Sequence, residues 1–484
     1  MSYYITTSIP YANADPHIGF ALELIQADTL ARYARQQGEE VVFSTGTDEH
    51  GTKVYEKAQE KGIEPLKLTD ELSQNFRNLA EVVNSSHNRF IRTTDKDHEK
   101  RAQKIWQALE KDIYKAQYKG LYCVGCEAYV TEANSKEHGG ECPVHQKPYK
   151  VLEEENYFFK LSQYSDEIKA AIESGDLQVL PAHRKNEILG VIKEGLEDIS
   201  ISRPSDKLPW GVPVPGDKKQ VMYVWFEALM NYITVLGYPD KDDFKAYWPA
   251  NVQVVGKDIL RFHAAIWPGM LLGLGIELPK KLYVHGFINI DGQKISKSLG
   301  NVVHPQEIVE QYGTDALRYY LLGHIPSSGD GDFTWEKFHD AYTNELGNEL
   351  GNAMQRTVAM IVKYKHGQLE KLARSQHDEA KYHEAIEQCQ FDKALEVVWK
   401  MIRGLNQYIE EEKPWVVAKS GDTLHLEAIL SHQAASLMQI ADLLEPFLPS
   451  TAVAIKQAFS ADPIVLPDKT LFPRVEREDE EQKD

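Results

Sequence analysis

A strand-like run that breaks at prolines and resumes as a long amphipathic helix constrains this chain more than any other feature. Residues 3–8 (YYITTS) are rich in Tyr and Thr, the residue types of a pleated strand. Pro10, Asn13 and Asp15-Pro16 then break the chain. Ile18, Leu22, Ile25, Leu30 and Ala34 recur with helical spacing, with Arg32 and Arg35 near the end and Gly38 behind them. The expected helix takes Asp15 as its N-cap, carries Pro16 at its first position and stops at Gly38. His17 and Gly19 then fall in its first turn, where backbone N–H groups and the positive end of the helix dipole favour phosphate. An ordinary βα unit would give the same pattern, so this stretch alone does not decide a site.

The alternation continues. Residues 41–45 (VVFST) suit a buried parallel strand and lead into Gly46-Thr47-Asp48-Glu49-His50-Gly51, with helical patterns over 52–61 and 65–83. Strand–helix alternation predicts a doubly wound α/β domain, whose ligands bind outside the carboxyl ends of strands. Asp48 falls there, where a carboxylate can hold a substrate ammonium. After residue 218 the pattern resumes with a strand at 221–224 and a stripe of Trp225, Ala228, Leu229 and Tyr232. A strand at 252–255 ends in Gly256-Lys257-Asp258, followed by Ile259, His263 and Trp267 on the next helix. Such stripes serve cores as readily as pockets. A strand at 282–285 precedes a loop with Lys294, Lys297 and Ser298, whose cations suit a polyphosphate.

Between these halves the regularity fails. Cys123 and Cys126 form one knuckle pair and Cys142 and His145 another, a spacing that supplies four ligands to a tetrahedral, structural Zn²⁺. Cys389 stands alone in a helical stretch as a core thiol. Residues 114–218 therefore read as an insertion. Beyond Trp335, helical patterns over 338–365, 379–413, 424–444 and 451–459 predict an α-helical bundle. The residues from 476 on are a charged tail. With 54 basic against 73 acidic side chains, broad nonspecific binding to nucleic acid is disfavoured. The apolar run 266–278 is short and interrupted, so no membrane span is expected, and neither is a secretory leader. A cytoplasmic protein is expected.

The order of these pieces is more specific than any one of them. His17-Ile18-Gly19 and the distant Lys294-Ile-Ser-Lys297-Ser298 resemble the paired signatures of class I aminoacyl-tRNA synthetases. IPYANADPHIG, GTDEHGTKV, the knuckle, SRPSDKLPWGVPVPGD, YVWFEALMNY, GKDILRFHAAIWP, ELGNELGNAMQR and KPWVVAK narrow this to the methionyl-tRNA synthetases, from Tyr3 to about Phe459. The resemblance implies a Rossmann-like doubly wound parallel sheet with a zinc-knuckle insertion, followed by an α-helical bundle that binds the anticodon. Its implied boundaries are 1–113 and 219–290 for the halves of the catalytic domain and 114–218 for the insertion. The signature loop and stem-contact region then covers 291–335, the bundle 336–470 and the tail 471–484.

The implied reaction joins ATP and L-methionine into methionyl-adenylate, with release of pyrophosphate, and passes the acyl group to the terminal ribose of tRNA(Met). His17, Lys294 and Lys297 are the implied catalytic residues, and with Gly19, Gly256 and Asp258 they bind ATP and its Mg²⁺. Ile9, Tyr11, Asp48, Trp225, Ala228, Leu229, Tyr232, Ile259, His263 and Trp267 would hold methionine, and Asn352, Arg356 and Trp415 the anticodon. One zinc is implied at Cys123, Cys126, Cys142 and His145. Phe20 stands where the family's first signature usually ends in His and cannot donate to phosphate, and Ile295 replaces the more usual Met. DNA and membranes are not expected partners, and without an appended dimerisation domain a monomer is expected. Two alternatives are a ligase with a small-amine acceptor, opposed by the anticodon-type bundle, and a non-catalytic RNA-binding paralogue, opposed by the intact His17, Asp48, Lys294 and Lys297.

Overall fold

The computed structural model describes residues 2–123, 128–130, 135–136, 138–143, 146–295, 300–369 and 379–475. The chain divides into two compact units. One comprises Met1–Pro16, Gly38–Asn78 and Ser86–Val284, and the other His17–Gln37, Leu79–Ser85 and His285–Asp484. This division differs from the sequence-based boundaries chiefly in grouping the first helix with the C-terminal half.

The first unit is built on a sheet of strands β1 (Ser2–Thr7), β2 (Glu40–Thr47), β3 (Arg89–Arg92), β4 (Gln178–Leu180), β5 (Val252–Gly256) and β6 (Lys281–His285). Their order across the sheet is β3-β2-β1-β5-β6-β4. β1 pairs in parallel with both β2 and β5, with Ile5 opposite Phe43 on one side and Val252 on the other. β2 is buried from Val41 to Thr47 and β5 throughout, as strands covered on both faces must be. The chain runs outward from β1 to β3 and returns to β5 beside β1, so the strand order reverses between β1 and β5. In open α/β sheets that reversal point is where ligands sit.

Within the same unit, Ile113–Cys123 pairs antiparallel with Lys150–Phe159, in register from Ile113↔Phe159 to Tyr122↔Lys150. Ala128–Val130 and Ile199–Ser200 flank this ribbon. β4 also comes from residues 114–218, yet it joins the parallel sheet beside β6. Three residues of strand carry too little pattern to be read in advance.

The second unit is mostly helical. Thr314–Gly323 packs on the first helix, Ile18–Gln36. Arg318 is fully buried there. It pairs with Asp28 at 2.8 Å and donates to the carbonyls of Phe447 (2.7 Å), Pro446 (2.9 Å) and Val83 (3.1 Å). Asn352–Lys365, Phe391–Glu412 and Thr423–Leu444 pack on one another, with Val358, Ile361, Val398, Ile402, Leu430 and Leu437 buried. The expected helix over 379–413 is interrupted between Ala380–Glu387 and Phe391–Glu412. Cys389, expected within a helix, lies in that turn with φ at +55° and is buried. Among the described residues, no helix is long and apolar enough to cross a membrane. The tail from residue 476 lies outside the described residues.

Candidate active site

At the carboxyl ends of β1 and β2, two loops are stitched together. The Asp48 amide donates to Pro10 O at 2.9 Å and the Ala12 amide to Asp48 O at 2.8 Å, forming a parallel bridge between Tyr11 and Asp48. Asp48 is buried, and its carboxylate reaches to 3.5 Å from the Thr93 hydroxyl. Ile9 lies half-buried on the same loop. The Tyr11 ring meets Trp225 edge-on at 5.7 Å between centroids, and Trp225 stacks on Phe262 at 4.1 Å.

Behind this pair the hydrogen bonds fix a tautomer. His263 Nδ1 lies 2.9 Å from the Ile259 carbonyl, which only accepts, so Nδ1 carries the proton. Nε2 lies 2.7 Å from the Tyr232 hydroxyl, which can donate to it. The Tyr232 carbonyl accepts from the Tyr4 hydroxyl at 2.8 Å. Trp267 lies 5.8 Å from Tyr232 and is fully buried. The indole N–H groups of Trp225 and Trp267 have no hydrogen-bond partner among the described residues. Ala228 and Leu229 are buried beside them in helix Val224–Leu229. Gly256 ends β5 next to β1, and Asp258 follows it, exposed.

In the second unit the first helix begins at Ile18, with His17 as its cap. His17 Nδ1 accepts from the Gly19 amide at 3.1 Å, so Nε2 carries the proton in the neutral ring and is the atom able to donate to an anion. A Cβ on Gly19 would lie 2.9 Å from His17 Cε1, so the cap requires glycine there. The Phe20 ring lies against His17 at 4.6 Å between centroids. The Ile18 amide donates to Val303 O at 3.2 Å, so the helix start abuts the segment leaving the signature loop. Lys294 lies exposed on that loop's hairpin, Ile288–Ile290 with Gln293–Lys294, whose turn at Asp291-Gly292 has φ of +49° and +73°. Lys297 and Ser298 lie outside the described residues.

The bundle brings two of the expected residues together. Arg356, half-buried in helix Asn352–Lys365, holds its guanidinium over the Trp415 ring at 5.7 Å and pairs with Glu410 at 2.6 Å. Asn352 is exposed one turn earlier on the same helix. Of the knuckle, Cys123 and Cys142 are buried, and Cys142 O accepts from the Gln146 amide at 2.7 Å. Cys126 and His145 lie outside the described residues, and among the described ones no cluster of His, Cys, Asp and Glu can hold a metal.

The family model for class I tRNA synthetases (M) matches residues 3–150 and 140–358. The chain belongs to the methionyl-tRNA synthetase family. It is 43% identical to the methionine–tRNA ligase of Caldanaerobacter subterraneus subsp. tengcongensis, over 93% of this chain and 72% of that one. The corresponding enzyme of Brucella suis is 42% identical, over 93% and 90%. The solved Mycobacterium tuberculosis methionyl-tRNA synthetase in complex with methionyl-adenylate matches with a TM-score of 0.91 at 35% identity, covering 98% of this chain and all of that one.

Two local expectations change at these family signatures. Asp15 is not the helix cap: it accepts a hydrogen bond from Asn75 at 2.8 Å, and the imidazole of His17, two residues on, takes the cap instead. Ile259, His263 and Trp267 do not share one regular helix. Lys257–Ile259 is a 3₁₀ turn and Phe262–Ile266 a π-helical turn ahead of helix Trp267–Leu274. That wider turn carries Phe262 onto Trp225, a contact invisible to 3.6-residue periodicity.

Proposed function

We infer that this chain is a methionine–tRNA ligase, which activates L-methionine with ATP and transfers it to tRNA. The observation that carries the assignment is the Tyr11–Asp48 bridge at the carboxyl ends of β1 and β2, next to the sheet's reversal point and beside a wall of Trp225, Tyr232, His263 and Trp267. In this reading Asp48 takes the methionine ammonium, and Ile9, Tyr11, Ala228, Leu229 and Ile259 close around the thioether. The hydrogen-bonded Tyr232–His263 pair and two indoles suit a flexible, polarizable sulfur chain. Gly256 lets the nucleotide approach, and Asp258 takes the ribose.

Attack of the methionine carboxylate on the α-phosphate needs alignment and charge stabilisation more than proton transfer. His17, through Nε2–H and the helix N-terminus, would donate to phosphate oxygens, while Gly19 permits the cap that aims the ring. Lys294 and Lys297 would offset charge as pyrophosphate leaves. Phe20, in contact with His17, would hold that ring rather than donate. Mg²⁺ would accompany ATP and share its phosphate charge.

Cys123, Cys126, Cys142 and His145 would hold one structural Zn²⁺. The buried thiols of Cys123 and Cys142 fit that donor set, and the metal would brace the end of the ribbon at Cys123. Arg356 and Trp415 would form one surface for an anticodon base, with Asn352 supplying hydrogen bonds beside it. The chain is taken to act as a monomer. Amino-acid-dependent ATP–pyrophosphate exchange tests the activation step: methionine alone should support it, and exchange with a different amino acid, or none, would refute the assignment.

A further inference from the structure

Glu227, a carboxylate without a part in the reaction above, lies almost fully buried in the helix that carries Trp225, Ala228 and Leu229. By helical spacing it leaves the axis on another side from Trp225. Its Oε1 accepts from His98 Nε2, and its Oε2 lies 3.2 Å from His50 Nδ1. His98, on helix Lys96–Ala108, places its other nitrogen 2.7 Å from the Thr234 hydroxyl. The His50 ring packs on Trp210 at 5.4 Å, and the Trp210 indole donates to Glu49 O at 2.6 Å. Glu49 itself is satisfied separately, by Arg92 at 2.7 and 2.8 Å and by the Thr47 hydroxyl at 2.7 Å.

One carboxylate thus ties together the loop after β2, helix Lys96–Ala108 and helix Val224–Leu229. Two of those segments are the walls assigned to methionine. His50 stands two residues beyond Asp48, and Glu227 stands between Trp225 and Ala228. Burying a charge is a poor source of stability, since an apolar side chain of similar size would serve as well. What a carboxylate with two imidazole donors supplies, and a leucine does not, is two fixed directions.

We propose that Glu227, held by His50 and His98, is a positioning residue that sets the spacing between the Asp48 carboxylate and the wall of Trp225, Ala228 and Leu229. The proposal rests on the assignment of those residues to methionine. Glu227→Gln keeps the size of the side chain but turns an amide N–H toward one of the two ring donors. A positioning role then appears as a loss of methionine affinity without a loss of chemistry.

The test is ATP–pyrophosphate exchange on the full chain for Glu227→Gln, Glu227→Asp, Thr234→Val and Asp48→Asn. Glu227→Gln should raise the methionine KM at least ~10-fold, with the ATP KM and kcat at saturating methionine within ~2-fold of the parent. Glu227→Asp, which restores the charge, should recover most of that loss. Thr234→Val removes only the hydroxyl facing His98 and should raise the methionine KM by about 2–5-fold. It decides the matter if the glutamine variant does not fold. An unchanged methionine KM overturns the proposal, and so does a fall in kcat with both KM values moving together. If Asp48→Asn weakens methionine and Glu227→Gln does not, the positioning role alone fails. If Asp48→Asn leaves methionine binding intact, the site assignment fails and takes the positioning role with it.

Discussion

Replacing Asp48 with Asn removes one charge from the proposed methionine site and little else. The two hydrogen bonds that set Asp48 in the loop are made by its backbone, to Pro10 O at 2.9 Å and from the Ala12 amide at 2.8 Å. An amide of the same shape leaves both in place. Asp48 is only 2% exposed, so water cannot stand in for a lost charge–charge contact with the substrate ammonium. A hydrogen bond to a charged partner contributes about 1.5–3 kcal/mol. At 1.4 kcal/mol per tenfold, methionine should bind roughly 10- to 150-fold more weakly. ATP, assigned to Gly256, Asp258 and the His17 helix end, should change by less than about 3-fold on the same scale. Calorimetric titration of each ligand alone gives both numbers. Equal weakening of methionine and ATP, or methionine binding at the parental Kd, would refute the reasoning.

Three further outcomes are expected. Elemental analysis should find one zinc per chain and none in a Cys142→Ala variant, and metal-free parent protein prepared with zinc present would contradict the knuckle. Arg318→Met should destabilise the helical unit by about 3–5 kcal/mol, because buried Asp28 and three buried carbonyls lose their shared donor; an unchanged melting temperature would count against this. Burial pushes the Glu227 carboxyl up, but His50 and His98 more than offset it and hold it near 2, below the ordinary 4.5. A depressed carboxylate stabilises the fold fully above about 4.5, and that contribution fades as pH falls toward 2. Thermal melts from pH 6 to 3 should therefore fall more steeply for the parent than for Glu227→Gln, and parallel curves would refute the ion-pair account.

Four of the six strands, β1, β2, β5 and β6, were legible because buried parallel strands are written locally, as in VVFST or VQVV, whereas the short β3 and β4 were not; the helix 52–61 was read to the residue. Strand order was not, because β1 meets β5 across about half the chain and no local pattern records a partner that distant. The misplaced cap has a plainer cause: Asp15 and His17 both stand near the break, and which one caps depends on where the Pro16 turn points. Trp225, Tyr232, His263 and Trp267 stood out as residue types with polar handles. Phe262 did not, since a π-helical turn places it off the expected stripe. Glu227 was equally hidden, because a glutamate between apolar residues reads as the wet side of a helix. Only the two histidines, 129 and 177 residues away in the chain, make it a buried one.

The most direct measurement of the whole account is transfer of labelled methionine to tRNA(Met) by the parent, Arg356→Ala and Trp415→Ala, with pyrophosphate exchange run beside it. Arg356 and Trp415 form one surface, guanidinium over indole at 5.7 Å. Loss of base stacking there is worth about 1–3 kcal/mol, or roughly 5- to 150-fold in kcat/KM for charging. The account predicts methionyl-tRNA from the parent, and steeply reduced charging with near-normal exchange from both variants. Methionine that never reaches tRNA, or variants that charge it at parental efficiency, would contradict it.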